Sequence, residues 1–185
     1  FVAAYIFIER FYVIRRASKE DTNFMNRIKD YIHDGKVDSA LALCRSTDTP
    51  SARMIEKGIS RLGRPLQDIS TAIETVGKLE ISKLEKSLPT LATITGAEPM
   101  LGFLGTVIGM IDAFDKIQIA GDVSPTLVAG GIKIALITTV GGLIVAIILQ
   151  LFYNYLVSRI DSIVNKMEDA SISLIDILVK QNLKK

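Results

Sequence analysis

Cysteine, histidine and charge of one sign are all scarce in this chain of 185 residues, and each scarcity closes off a class of function. The single cysteine, Cys44, excludes an internal disulfide and reads as a small apolar residue on a helix in a reducing compartment. His33 is equally alone, with no Cys or His at ligand spacing, so no metal site is expected. Lys and Arg together number 22 against 20 Asp and Glu; the resulting net charge of +2 gives no reason to expect a nucleic-acid partner. No nucleophile with a nearby base and no phosphate-binding glycine loop is visible, so the chain does not read as an enzyme and calls for no cofactor.

What the chain has is apolar sequence, 49% of it and unevenly spread. It opens on F-V-A-A-Y-I-F-I, followed at once by Glu9, Arg10, Arg15 and Arg16. A bilayer needs about 20 apolar residues, so residues 1–14 read as the trailing end of a first transmembrane helix that starts before the sequence shown. Positive charge after the apolar run, not before it, argues against a signal peptide.

Residues 15–87 read as a helical cytoplasmic domain. Phe24, Ile28, Tyr31 and Ile32 make one helical stripe that Gly35 stops. Val37, Ala40, Leu41 and Cys44 make the next; Ile55, Ile59 and Leu62 a third, ending at Gly63. Pro65 fits the first position of a long helix with Leu66, Ile69, Ile73, Val76 and Leu79 on its apolar side. Glu74, Glu80 and Glu85 interleave with Lys78, Lys83 and Lys86, the pattern of a solvated face.

Two long apolar runs follow, at residues 88–111 and 127–157, with a polar link at 112–126. Pro89 and Pro99 interrupt the first run, and Thr93, Thr95 and Thr106 are at hand to satisfy freed carbonyls. The second run has one full charge, Lys133, placed to snorkel to the interface and about 120° round the helix from Thr139. Arg and Lys flank the runs so that residues 15–87 and the tail at 158–185 lie in the cytoplasm and the link faces the other side. In the tail, Ile160, Val164, Met167, Ser171, Leu174 and Leu178 form a heptad seam suited to copies of itself or to the cytoplasmic helices.

Gly96 to Gly109 reads G-A-E-P-M-L-G-F-L-G-T-V-I-G. Gly102, Gly105 and Gly109 give the helix one smooth face for close packing, with Glu98 on it and Thr106 at its edge. A carboxylate within a span is by default a hypothesis about an ion path. Glycine faces on two spans and the seam in the tail each call for a partner surface, which a ring oligomer would supply.

G-A-E-P-M-L-G-F-L-G-T-V-I-G-M-I-D-A-F at Gly96 to Phe114 and G-G-I-K-I-A-L-I-T-T-V-G-G-L-I-V-A-I at Gly130 to Ile147 resemble the second and third membrane helices of the ExbB/TolQ/MotA proton-channel subunits, most closely ExbB and TolQ. The resemblance implies an all-α membrane protein of three transmembrane helices in the bacterial inner membrane, assembled as a homopentamer. In that family the ring holds a dimer of single-span partners of the ExbD/TolR type, and a TonB-like or TolA-like protein carries the load. By position, Thr106 and Thr139 match the family's pore threonines. The chain departs from it at Ile134, where many members have glutamate. Glu98 then reads either as a relocated carboxylate or as a structural one, bonded to backbone freed by Pro99 or paired with a cytoplasmic lysine. A flagellar-type stator subunit and a non-conducting membrane scaffold are the alternatives.

Overall fold

The computed structural model describes residues 1–19, 23–121 and 125–182, and every regular element among them is a helix. These are α1 (Val2–Ala17), α2 (Phe24–His33), α3 (Val37–Ser46), α4 (Pro50–Ile59), α5 (Leu66–Glu85), α6 (Leu88–Ala120) and α7 (Pro125–Asn182). They form two compact units, one of Phe1–Phe7 with Ser87–Tyr155, the other of Ile8–Lys86 with the chain from Leu156.

The second unit is a polar-coated bundle. Phe24, Ile28 and Ile32 are buried on one face of α2, which Gly35 ends in the left-handed region at φ +73°. The Thr49 hydroxyl caps α4 by accepting from the Ala52 N–H at 3.3 Å, and Pro50 occupies its first turn. Helix α4 runs through the centre. A Cβ added at its Gly58 would come within 2.7 Å of the Leu174 side chain and 2.8 Å of the Ile73 side chain, so glycine there leaves room for both. Cys44 is buried, and burial pushes its thiol up to about 12, well away from reactivity.

Three expectations change here. Leu79 is 58% exposed, and the buried side of α5 runs instead through Ile69, Ala72, Ile73, Gly77, Glu80 and Leu84. Glu80 therefore leaves the solvated face assigned to it. It takes hydrogen bonds from Arg53 Nη2 at 2.6 Å and Lys83 Nζ at 2.7 Å, while Arg53 Nη1 reaches Asp48 at 2.7 Å and Arg16 reaches the same Asp48 at 2.7 Å. Burial alone would raise the Glu80 carboxyl, but the two donated hydrogen bonds and the positive charges outweigh it and hold the group below its ordinary value. In the tail of α7 the buried positions are Leu156, Ile160, Ile163, Met167, Ala170, Leu174 and Leu178, with Val164 and Ser171 only half-buried. The stripe faces a bundle of helices, not one facing seam, and so sits partly one residue away from the heptad reading.

In the first unit, Phe7 stacks on Phe152 with ring centroids 4.3 Å apart. Helix α6 begins after Ser87 at φ +69° and ends at Gly121, whose N–H bonds Ile117 O. It does not stop at Ile111, where the apolar run ends. No glycine or proline interrupts residues 112–120, and Lys116 pairs with Asp112 one turn back at 2.7 Å, so the helix carries on into polar sequence. The threonines of α6 also behave differently from expectation. Thr93 donates to Pro89 O and Thr95 to Leu91 O, both at 2.9 Å, whereas Pro99 leaves the Thr95 carbonyl without its helical N–H. By length and composition, two segments among the described residues are suited to crossing a membrane, Leu66–Ile119 and Val128–Lys180.

Candidate functional site

Small residues recur every three or four positions on both α6 and α7, and the structure packs these two stripes on each other. Gly102 lies against Gly142, Gly105 against Thr138, Gly109 against Ala135, and Gly131 against Ala113. One index falls as the other rises, so the helices are antiparallel. A Cβ on Gly142 would stand 2.9 Å from Gly102 Cα and 3.1 Å from Glu98 O; one on Gly109 would stand 3.1 Å from Ala135 Cα. Backbone meets backbone along the seam, which is what small residues permit where no water drives apolar association. The glycine faces thus satisfy each other within one chain, and the expectation that both spans need an outside partner for them is corrected.

Close approach brings the two threonines together. Thr106 Oγ1 and Thr139 Oγ1 share a hydrogen bond in which either can donate. Thr106 Oγ1 also lies 3.1 Å from Ala135 O, and Thr139 Oγ1 lies 3.3 Å from Gly102 O. A hydroxyl has one proton and two lone pairs. If Thr139 donates to Thr106, then Thr106 donates to Ala135 O; if Thr106 donates to Thr139, then Thr139 donates to Gly102 O. The pair therefore has two satisfied arrangements that differ only in the direction of its protons. Thr138, which the sequence reading passed over, donates to the same Ala135 O at 2.7 Å.

Glu98 is half-buried, and among the described residues its carboxylate has neither a hydrogen bond nor an ion pair. Neither backbone freed by Pro99 nor a cytoplasmic lysine meets it among the described residues. Lys133 and Ile134 are exposed on α7, Lys133 among Ala129, Ile132, Leu136, Ile137 and Val140, and neither joins the threonine pair. No group of three or more His, Cys, Asp or Glu able to hold a metal occurs among the described residues. The second glycine face comprises Gly131, Ala135, Thr138 and Gly142, at spacings of three and four in G-G-I-K-I-A-L-I-T-T-V-G-G, and Thr138 is its member that the sequence analysis does not single out.

Residues 46–169 match the MotA/TolQ/ExbB proton channel family. Among similar proteins, an ExbB homolog from Methanothermobacter thermautotrophicus, named as a biopolymer transport protein, is 33% identical over 87% of the chain and 57% of its own length. The Tol-Pal system protein TolQ of Haemophilus influenzae is 31% identical over 85% of the chain and 74% of its own length. The biopolymer transport protein ExbB of Aquifex aeolicus is 38% identical over 49% of the chain and 63% of its own length. The chain thus spans little more than half of the first of these relatives and about three quarters of the second.

Proposed function

The chain belongs to the MotA/TolQ/ExbB proton channel family, and from that premise we propose that it is a non-enzymatic subunit of an inner-membrane motor in which Thr106 and Thr139 relay protons. The single observation that carries this reading is the reversible hydrogen-bonded pair inside the glycine-lined seam. A proton arriving at one hydroxyl leaves from the other, and the pair is then reset by turning its protons about. No charge remains on either oxygen, which suits a segment where a lasting charge is costly.

In this reading residues 1–14, 88–111 and 127–157 are transmembrane, residues 15–87 and 158–185 are cytoplasmic, and 112–126 face the opposite side. Several copies, a homopentamer by family analogy, surround a dimer of ExbD/TolR-like single-span proteins, and a TonB-like or TolA-like protein takes up the movement. Membrane lipid covers the exposed apolar faces of α6 and α7, which include Leu101, Phe103, Ile108, Leu136 and Ile147. The flux of protons changes the charge of a partner carboxylate, and the partner moves within the ring. Proton uptake into vesicles holding the chain with its partner tests this. Uptake that depends on both proteins is the expected result; an intact assembly that conducts no protons would make the chain a scaffold.

A further inference from the structure

Glu98 is the only ionisable residue between Leu88 and Ile111, and its environment gives it no structural task. Its backbone belongs to the seam, because its own carbonyl is one of the atoms that crowd Gly142. Gly102 follows one helical turn later, about 6 Å along the axis and about 40° round. At Gly102 the carbonyl faces Thr139 Oγ1 at 3.3 Å, and Thr106 lies two turns beyond Glu98, about 12 Å along the axis and about 80° round. A glutamate side chain and a short file of waters span that distance, with each transfer running over one hydrogen bond. A partnerless carboxylate in a span is costly and so points to ion movement.

We propose that the Glu98 carboxylate is a proton station of the α6/α7 seam, taking up the ion between the threonine pair and the Leu88 end of α6. The inference rests on the reading of the threonines as a relay. The water at one end of the file gives its proton to a Glu98 oxygen, forming an O–H bond there, and the water at the other end takes one from the Thr139 hydroxyl, each water between them passing on one proton and receiving one. Thr139 takes its replacement from Thr106, and Thr106 from the incoming ion. Release at the Leu88 end breaks the Glu98 O–H bond and restores the carboxylate, with one proton moved and nothing oxidised or reduced.

The test compares wild type, Glu98→Gln, Glu98→Asp and the Thr106→Val/Thr139→Val double variant, each with the single-span partner in phospholipid vesicles under an imposed pH gradient. Glu98→Gln keeps the size of the side chain and is expected to lower proton uptake about 100-fold, while Glu98→Asp restores most of it. Dicyclohexylcarbodiimide, which adds to a carboxyl carrying its proton, should place an N-acylurea on Glu98 in the wild type and stop its uptake. Wild-type uptake in Glu98→Gln overturns the proposal. So does loss in both Glu98 variants with no acylurea on the wild type, which would make the residue a packing element. Full uptake in the double valine variant with loss in Glu98→Gln instead overturns the threonine relay and leaves Glu98 as the station. A wild type that carries no protons overturns both readings.

Discussion

Thr106 on α6 and Thr139 on α7 hold one hydrogen bond between them, and each has a backbone carbonyl of the opposite helix as its second acceptor: Ala135 O for Thr106 and Gly102 O for Thr139. The arrangement is symmetric in its hydrogen bonding. Neither hydroxyl is fixed as donor, and either direction leaves both protons bonded. Removing one member breaks the pair but leaves the packing of the seam.

Valine has nearly the shape of threonine without a donor or acceptor. Thr106→Val should keep normal abundance and partner binding while weakening energy transduction, with a coupling cost of about 1 kcal/mol or less. Thr139→Val should act in the same direction. Because the two serve one bond, the double variant should fall short of the sum. Proton uptake and growth under a transport-dependent condition measure this; full activity of the double variant at normal abundance would remove the threonines from the mechanism.

Gly142 and Gly130 provide a matched pair for testing the seam. An added methyl at Gly142 would meet Gly102 Cα at 2.9 Å, whereas at Gly130 it meets nothing within 4 Å. Gly142→Ala should destabilise the fold by about 1–3 kcal/mol through overpacking. Gly130→Ala should be neutral or favourable, since alanine is the better helix former by about 1 kcal/mol. Thermal unfolding of the full chain in mild detergent checks the difference, and equal effects would mean that α6 and α7 do not meet at Gly142.

Glu80 sets an acid-dependent part of the stability. Its carboxyl is held below the ordinary value in the folded chain, so its contribution is present above the unfolded value, about 4.3, and is lost as pH falls through the folded one. Glu80→Gln should cost about 1–3 kcal/mol at neutral pH by depriving Arg53 and Lys83 of their charged partner. It should also flatten the loss of stability below about pH 4. Denaturant titrations across pH 3 to 7, values spanning roughly the carboxylate range, would show the two curves converging in acid. Parallel curves would count against the assignment.

Lys133 stands exposed on α7, away from the threonine pair, with an apolar surround and a stem long enough to reach the interface. Lys133→Ala should therefore retain assembly and proton uptake. Abolished uptake with the assembly intact would place Lys133 on the ion path.

Where helices begin and end was legible wherever the backbone itself decides. Gly35, placed to stop the first stripe, sits in the left-handed region that ends a helix. The stripe of Phe24, Ile28 and Ile32 is buried as its spacing predicts. Helix α6 outruns its apolar stretch because a change from apolar to polar composition is not a change of backbone structure, and Asp112 with Lys116 supports a helix.

The sequence by itself determined that the chain is helical, that two stretches are apolar enough to span a membrane, and that glycines, threonines and one carboxylate share a face, because periodicity places residues around a helix axis. Only the tertiary structure decided what covers each face. Periodicity is a property of one helix, and a partner is a property of two. Hence the glycines of α6 meet those of α7 in the same chain, Glu80 leaves its charge run to lie beside Arg53, and Glu98 is left without a partner among the described residues.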